Sequence, residues 1–241
     1  MSRRKKWLIY AAIGFALLAA VAAILWEVSK ARCFTLTGDV ICRVETDQPV
    51  VALTFDDGPT ARGVDWVLPT LEAHGARATF FLTGAESEAA PQLVRQLAEA
   101  GHEIGNHSFS HNRMMWPFSS GHDEEIRSAS AAIVAAGAPL PRLFRPPYGK
   151  KLIGLPRAVE RQGLRMVTWD VEDPPGAANG RAYANALLEQ VRPGSIILMH
   201  VMYPGNRPAR DALPLILEGL RVRGYRIVPV GELIDGAAAS G

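Results

Sequence analysis

The chain has 241 residues, of which 48% are hydrophobic, and this is enough for one large domain with a well-buried core. Its net charge of +2 depends on the four basic residues at positions 3–6, since the remaining 22 basic and 24 acidic residues give −2. No clustered basic face is left, so the composition argues against a nucleic-acid-binding protein.

The first predicted element is an uncharged run at residues 7–26, WLIYAAIGFALLAAVAAILW. As a helix it would be about 30 Å long, which matches the hydrocarbon core of a bilayer. Trp7 and Trp26 at its ends suit the membrane interfaces. A cleaved signal peptide is the alternative, but its apolar stretch is normally shorter and a small-residue cleavage site follows it. We therefore predict a single membrane anchor.

The basic residues set the orientation of this anchor. Positive charge stays on the cytoplasmic side, so residues 1–6 should form a cytoplasmic tail. Everything after the helix should then lie outside the cytoplasm, in the periplasm if the cell is Gram-negative. The sequence thus predicts a single-pass protein of the cell membrane.

Residues 27–49 are predicted to form a tether that contains both cysteines. Cys33 and Cys42 flank a turn signal at Gly38-Asp39, which predicts a hairpin that brings the two sulfurs together. Outside the cytoplasm such a pair should oxidise. We expect a disulfide at the entry to the domain.

From residue 50 onward, strand-like and helix-like segments alternate. Repeated strand–helix units imply parallel pairing, and about seven of them indicate an α/β protein with a distorted or incomplete (β/α) barrel. We assign this domain to residues 50–235 and a tail to 236–241. The predicted strands cover residues 50–55, 78–82, 103–106, 143–145, 166–169, 195–199 and 226–230.

Acidic and histidine residues follow two of these strands. The first strand ends in Asp56-Asp57-Gly58-Pro59, and His107 and His111 follow the third. Two adjacent carboxylates resist ionising together unless a positive charge lies between them, and imidazoles are common nitrogen ligands of metals. Each feature alone has an ordinary explanation, a turn or two unrelated histidines. Together they suggest a hydrolytic metal site.

Further polar clusters follow later strands. Arg145-Pro146-Pro147-Tyr148-Gly149 comes after the fourth strand, an acidic segment with Asp170 and Asp173 after the fifth, and His200 after the sixth. In (β/α) barrels the carboxyl ends of the strands form the catalytic face. The positions therefore predict that all of these clusters meet at one rim.

With these motifs, residues 50–234 resemble the polysaccharide deacetylase family, carbohydrate esterase family four, also called the NodB homology domain. Thr-Phe-Asp-Asp-Gly-Pro, the histidine pair, Arg-Pro-Pro-Tyr-Gly and Leu198-Met199-His200 match the family in order and spacing. The resemblance implies a metal-dependent hydrolase that removes N-acetyl groups from amino sugars of an extracytoplasmic polysaccharide, such as peptidoglycan or a chitin-like oligomer. Its partners would be an acetylated glycan and, through the N-terminal helix, the membrane.

The resemblance also implies a role for each matching residue. Asp57, His107 and His111 would bind a divalent metal, with Zn²⁺ as the expected ion, and Asp56 would be the general base for a metal-bound water. The other implied roles are orientation of the base by Arg145, oxyanion stabilisation by the Tyr148 N–H, general acid by His200 and an acetyl-methyl pocket at Leu198.

One motif departs from the family. Many members carry Asp-x-x-Asp-Trp, whose second Asp supports the acid histidine, but no Trp follows an Asp here. Asp173 or Asp170 could support His200, and either could equally cap the loop. The departure leaves two alternatives open, an esterase for O-acetyl glycan or a deacylase for lipid-linked sugar. A third alternative is an inactive glycan-binding envelope protein.

Overall fold

Most of the N-terminal helix is exposed and lies away from the rest of the fold. A computed structural model describes residues 2–115 and 121–239, and its first helix, α1, spans Arg3–Ser29. The most apolar window of α1 has a mean hydropathy of 2.6 and none of it is buried, so by length and composition it is a candidate membrane span. A signal sequence has the same two properties. The helix extends the predicted span of 7–26 by one turn at each end, and Met1 of the predicted tail lies outside the described residues.

Seven parallel strands form the sheet, as predicted. They are β1 Val50–Asp56, β2 Thr79–Leu82, β3 Glu103–Asn106, β4 Leu143–Phe144, β5 Arg165–Met166, β6 Ile196–Met199 and β7 Arg226–Val228. The order across the sheet is β5-β4-β3-β2-β1-β6, and β7 pairs with the first residues of β1. Among the described residues no strand ladder joins β5 to β6, and the chain after β5 meets β6 only at an isolated bridge between Val171 and Ile197. The prediction of a distorted or incomplete barrel is confirmed.

Helices follow the strands and cover the outside of the sheet. They are α2 Ala61–Ala73, α3 Gly84–Ala89, α4 Pro91–Glu99, α5 Gly121–Ala135, α6 Gly154–Arg161, α7 Gly180–Leu188, α8 Arg207–Val222 and α9 Val230–Ala238. The sequence did not predict α3 and α9. Helix α9 continues past the predicted domain boundary at 235, while residues 240 and 241 of the predicted tail lie outside the described residues.

Strand β1 shows why these apolar runs become buried strands. Alternate residues of a strand face opposite sides of the sheet. Val51, Leu53 and Phe55 pack against the surrounding helices, whereas Val50 and Ala52 pack into the interior of the barrel. Because both faces are covered, the strand is apolar throughout rather than alternating. The buried strand ends at Asp56, and Asp57 follows directly, so β1 positions both carboxylates.

The segment that contains the cysteines fills the open side of the barrel. Cys33 and Cys42 form a disulfide, but the predicted hairpin is wrong. Ile41 pairs with Val167 just beyond β5, and Arg43 pairs with Ser195 just before β6. The edge strands of an open sheet have unpaired backbone N–H and C=O groups. The backbone of the cysteine segment forms its hydrogen bonds with these edges instead of within a hairpin.

Candidate active site

The clusters singled out in the sequence lie on the carboxyl ends of the strands. β1 ends at Asp56, and the loops after β3, β4, β5 and β6 begin within a few residues of the other predicted groups. We call this face of the barrel the rim. It carries Asp56, Asp57, His107, His111, Arg145, Tyr148, Asp173 and His200.

Asp57, His107 and His111 form a compact set of possible metal ligands. Their ligand atoms all lie within 4.8 Å of one another, and Asp57 Oδ1 is 3.3 Å from His111 Nε2 and 3.8 Å from His107 Nε2. His107 Nδ1 lies 2.8 Å from the carbonyl of Arg145, which directs Nε2 to the centre of the set. Two imidazole nitrogens and one carboxylate oxygen around one point fit a divalent cation and leave positions open for water and substrate.

Electrostatics keeps His107 in the form that binds metals. Burial lowers the pKa of His107, and this effect exceeds the opposing pull of Asp56 and Asp57, which raises it. The ring is therefore neutral at physiological pH. A neutral imidazole has the lone pair that a cation requires.

The backbone of the site is strained. Within the described ranges, the non-glycine residues with positive φ are Asp57, Ser108, His111 and Tyr148, with φ of 74°, 64°, 56° and 58°. Such conformations cost about 1–3 kcal/mol each and persist where the surroundings impose them. Here side chains brace the turn: Asn106 Oδ1 accepts from Ser108 N at 2.8 Å, and Ser108 Oγ accepts from His111 N at 3.1 Å. All four strained residues lie on the rim, which marks it as a functional site.

Asp56 lies beside the ligand set and is bound by a buried arginine. Arg145 Nη1 donates to Asp56 Oδ1 at 2.6 Å and to Thr54 Oγ1 at 2.7 Å, and Nη2 donates to the carbonyl of Thr168 at 2.9 Å. Both charged side chains are almost fully buried. Burial alone would raise the pKa of Asp56, but Arg145 and the nearby histidines hold it below its usual value. Asp56 is thus an ionised carboxylate, with Oδ2 3.7 Å from His107 Nε2.

His200 contacts Asp173, whereas Asp170 lies elsewhere. Asp173 Oδ2 bonds His200 Nδ1, and Asp173 Oδ1 accepts from the hydroxyl of Tyr183. Asp170 accepts instead from Ser195 Oγ and Ile196 N, both at 2.9 Å, and so holds the start of β6. Of the two acids left open by the sequence, the structure places Asp173 in position to support His200.

The environment favours the protonated form of His200. Burial lowers the pKa of His200, but the hydrogen bond that Nδ1 donates to Asp173 and the nearby carboxylates outweigh this and raise it to about 9. With Nδ1 bonded to Asp173, Nε2 is left to serve a substrate. A histidine that is protonated at neutral pH can act as a general acid.

The remaining predicted residues lie at the edge and inside the barrel. Tyr148 lies in a tight turn at Pro147–Gly149, is half exposed, and has its ring 4.7 Å from the His111 ring. Leu198 is 2% exposed and packs in the barrel interior beside Trp169. A cleft of about 370 Å³ includes Asp57 and His111, and another of about 400 Å³ includes Asp173 and His200. The rim therefore has room for a ligand on both sides.

Two residues that support the site were not found from the sequence. Tyr183, on α7, bonds Asp173, and burial together with that carboxylate raises the pKa of Tyr183. Glu86, on α3, accepts from Gly58 N at 2.9 Å and from Tyr203 Oη at 2.6 Å. It therefore links the loop of Asp57 to the loop after β6.

Only one of these residues left a signal in the sequence. Thr83-x-x-Glu86 is the pattern of a helix capping box, and it marks the start of α3. In a capping box the glutamate would accept from the backbone N–H of Thr83, but Glu86 accepts from Gly58 N on the rim instead. No pattern indicates Tyr183, because a helix tyrosine among apolar residues is indistinguishable from an ordinary core residue.

Comparisons with known proteins agree with the fold and the motifs. The profile of the family described as polysaccharide deacetylase matches residues 43–167. A peptidoglycan-N-acetylglucosamine deacetylase of Bacillus cereus is 34% identical over 188 residues, which are 77% of this chain and 68% of that protein. A chitooligosaccharide deacetylase of a Bradyrhizobium species is 33% identical over 196 residues, 76% of this chain and 90% of the relative.

A solved structure shows the same fold. That structure, of a peptidoglycan N-acetylglucosamine deacetylase, matches with a TM-score of 0.77 at 29% identity. The match covers 81% of this chain and 92% of the other. The incomplete barrel is therefore similar in extent to that enzyme, while α1 precedes the matched family region.

Proposed function

Since the chain belongs to the polysaccharide deacetylase family, we propose that it hydrolyses N-acetyl groups of amino sugars in an extracytoplasmic glycan, with peptidoglycan or a chitin-like oligomer as substrate. One observation carries this proposal. The possible ligands Asp57, His107 and His111 lie within 4.8 Å of one another, directly beside the ionised Asp56. Amide hydrolysis needs both a polarised carbonyl and a base, and this arrangement provides a place for each.

We assign the metal to the three clustered ligands. When bound there, a divalent cation, zinc in this proposal, would polarise the acetyl carbonyl and make a water molecule acidic. His107 and Asp57 present their free ligand atoms to the same point, and His111 completes the set from its strained turn. Removing any of the three leaves two protein ligands, too few for a stable catalytic site.

Asp56 is the proposed general base. It accepts a proton from the attacking water while Arg145 keeps the carboxylate ionised and fixes its direction. Thr54, through Nη1, and the carbonyl of Thr168, through Nη2, fix the guanidinium and so the direction of the base. The backbone N–H of Tyr148 is the proposed donor to the acetyl carbonyl oxygen, which becomes an oxyanion when water adds to the carbon.

His200 is the proposed general acid. Its Nε2 donates a proton to the departing amine, a step that an amide requires because an unprotonated amine is a poor leaving group. Asp173 holds the ring and stabilises its positive charge, and Tyr183 holds Asp173. This support is the arrangement that we propose in place of the family's Asp-x-x-Asp-Trp motif. Leu198 stays assigned to the acetyl pocket.

A comparison of amide and ester substrates tests this function. The full chain, loaded with zinc, is incubated with chitin oligomers, peptidoglycan fragments and acetylated xylan, and acetate release is measured. We expect acetate from the N-acetyl substrates, and we expect His200→Ala to slow the amides far more than any ester. An enzyme that releases acetate only from xylan, with little effect of His200→Ala, would instead be an O-acetyl esterase. A zinc-loaded protein that binds glycan but releases no acetate would be the inactive alternative.

We also propose that α1 anchors the enzyme in the cell membrane. Basic residues 3–6 would stay in the cytoplasm and the barrel would lie outside, where the disulfide is stable. Protease added to intact spheroplasts should then digest the barrel and spare the N-terminus. A barrel that is protected in spheroplasts, or a protein whose α1 has been cleaved off, would contradict this topology.

A further inference from the structure

The last turn of α1 rests on the loop that follows β4. Lys151 N donates to the carbonyl of Ser29 at 2.8 Å, and Lys151 Nζ donates to the carbonyl of Ala31. Lys150 Nζ lies 3.8 Å from the centre of the Trp26 ring. Ser29 and Lys151 are almost completely buried. The end of the helix is therefore packed against the protein rather than hanging on a free tether.

A second set of contacts joins the chain after α1 to the loop that follows β5. Arg32 pairs with Glu172, and the carbonyl of Arg32 accepts from Thr168 Oγ1 at 2.6 Å. Glu172 also accepts from Trp169 Nε1 at 2.7 Å. Both loops are part of the rim, because the first carries Tyr148 and the second carries Asp173. The membrane helix thus ends on the same face of the barrel as the candidate active site.

Three cations cluster at this junction. They are Lys30, Arg113 and Lys150, which we call the junction cations. Lys150 Nζ lies 3.5 Å from Ser29 Oγ, beside Lys30, and Lys150 is two residues from Tyr148. Burial and the charges of Lys30 and Arg113 lower the pKa of Lys150. Arg113 also stacks on the Tyr148 ring, 4.6 Å away. Like charges repel unless anions lie between them, and Glu27, which pairs with Lys30, supplies only one.

The junction cations lie at the depth of lipid headgroups. Trp26 ends the apolar span, and tryptophan at that position lies at the membrane interface. Lys150 touches Trp26, Tyr148 is two residues from Lys150, and the Tyr148 ring is 4.7 Å from His111. Contacts through Lys150 and Tyr148 therefore connect the interface to His111.

From these contacts we propose that the rim faces the membrane, with the junction cations bound to the phosphates of anionic lipids, so that the enzyme acts on glycan lying at the membrane surface. This inference rests on the proposed function and on α1 spanning the membrane. The packed junction limits how far the barrel can tilt away, because the contacts on two separate loops would have to break. Substrate must therefore enter between the rim and the headgroups, which favours newly made or membrane-attached glycan over the distant polymer.

Fluorescence quenching in lipid nanodiscs tests the orientation. The full chain carries a single added label, either at Asn112→Cys on the rim or at Asp47→Cys just before β1 on the opposite face. The discs contain phosphatidylglycerol and a lipid with a nitroxide on its headgroup. We expect strong quenching of the rim label and little quenching of the other. Equal quenching at both positions, or stronger quenching at position 47, would overturn the inference.

A charge variant tests the role of the junction cations. Each cation near an anionic surface should favour the orientation in which the rim faces the membrane by about fivefold. In Lys30→Gln/Arg113→Gln we expect weaker quenching of the rim label and slower deacetylation of a glycan tethered to disc lipids. The matched variant Arg95→Gln/Arg226→Gln, which removes two exposed cations outside the rim, should behave as the parent protein does. Identical results for both double variants would exclude lipid binding by the junction cations.

A soluble substrate separates this inference from the proposed function. If short chitin oligomers are deacetylated but the rim label is not quenched, the orientation is wrong and the deacetylase assignment stands. If the rim label is quenched but no substrate releases acetate, the orientation stands and the proposed function fails. The two outcomes are read by independent signals.

Discussion

Replacing Asp173 with asparagine should change the pH dependence of the reaction and not only its rate. The carboxylate of Asp173 helps to raise the pKa of His200 to about 9, against the lowering effect of burial. A raised pKa keeps His200 protonated below pH 9, and the general acid is lost as the pH rises through that value. In Asp173→Asn the pKa of His200 should fall toward its ordinary value of about 6.5.

The size of the effect follows from the protonated fraction of His200. At pH 8 this fraction would fall from about nine-tenths to about three-hundredths, so we expect kcat for an N-acetyl oligomer to fall by up to roughly 30-fold. At pH 6 both forms are mostly protonated, and the loss should be less than about twofold. Because both proteins carry the same cation, its charge affects both profiles alike.

Acetate release at saturating substrate from pH 6 to 9.5 measures this profile. Asp170→Asn is the matched control, since Asp170 holds β6 without touching His200, and its effect should be uniform across the pH range. A loss in Asp173→Asn that is equally large at pH 6 and pH 8 would refute the reasoning, because Asp173 would then not control the protonation of His200.

Three further substitutions probe other contacts. Arg145→Met leaves Asp56 buried without its partner, so the metal-free protein should lose about 3–5 kcal/mol of stability at pH 7. Arg145 makes the largest contribution to lowering the pKa of Asp56, so the variant protonates Asp56 more readily as the pH falls. Urea unfolding should show the deficit shrinking toward pH 4, and a constant deficit would contradict this. Tyr183→Phe removes the hydrogen bond that Tyr183 donates to Asp173, so kcat for an amide should fall about fivefold with KM unchanged. An equal fall in an ester assay would argue that Tyr183 does not act through the general acid His200. Cys33→Ser with Cys42→Ser opens a short loop and should cost about 2–3 kcal/mol in the same unfolding assay, whereas unchanged stability would show that the β-bridges alone hold the segment.

The sequence predicted the strands well because parallel strands buried on both faces are continuous apolar runs. The predicted and observed strands agree to within a few residues, and the clusters that follow them meet at one rim. Helix α3 was missed because it has six residues and is mostly polar. Helix α9 was missed because it is short and contains two glycines, and the predicted last strand and tail overlap its two ends.

Features that depend on distant contacts could not be predicted. The turn signal at Gly38 predicts a local hairpin, but Ile41 pairs with Val167, more than a hundred residues away in the sequence. The choice of Asp173 over Asp170 likewise depends on how the loop after β5 folds against β6. The packing of α1 on the rim has no sequence pattern, since it joins backbone groups and lysines that would otherwise be taken as solvent-exposed.

Zinc content measured together with acetate release tests the central claim most directly. The full chain, His107→Ala and the control His74→Ala are stripped of metal, dialysed against zinc, and assayed for bound zinc and for deacetylation of a chitin oligomer. The His74 side chain is exposed and bonds the carbonyl of Thr70 in its own helix, so the control should bind a single zinc and release acetate as the parent does. We expect His107→Ala to lose both properties. If His107→Ala kept its zinc and its full rate, the ligand set of Asp57, His107 and His111 would be wrong.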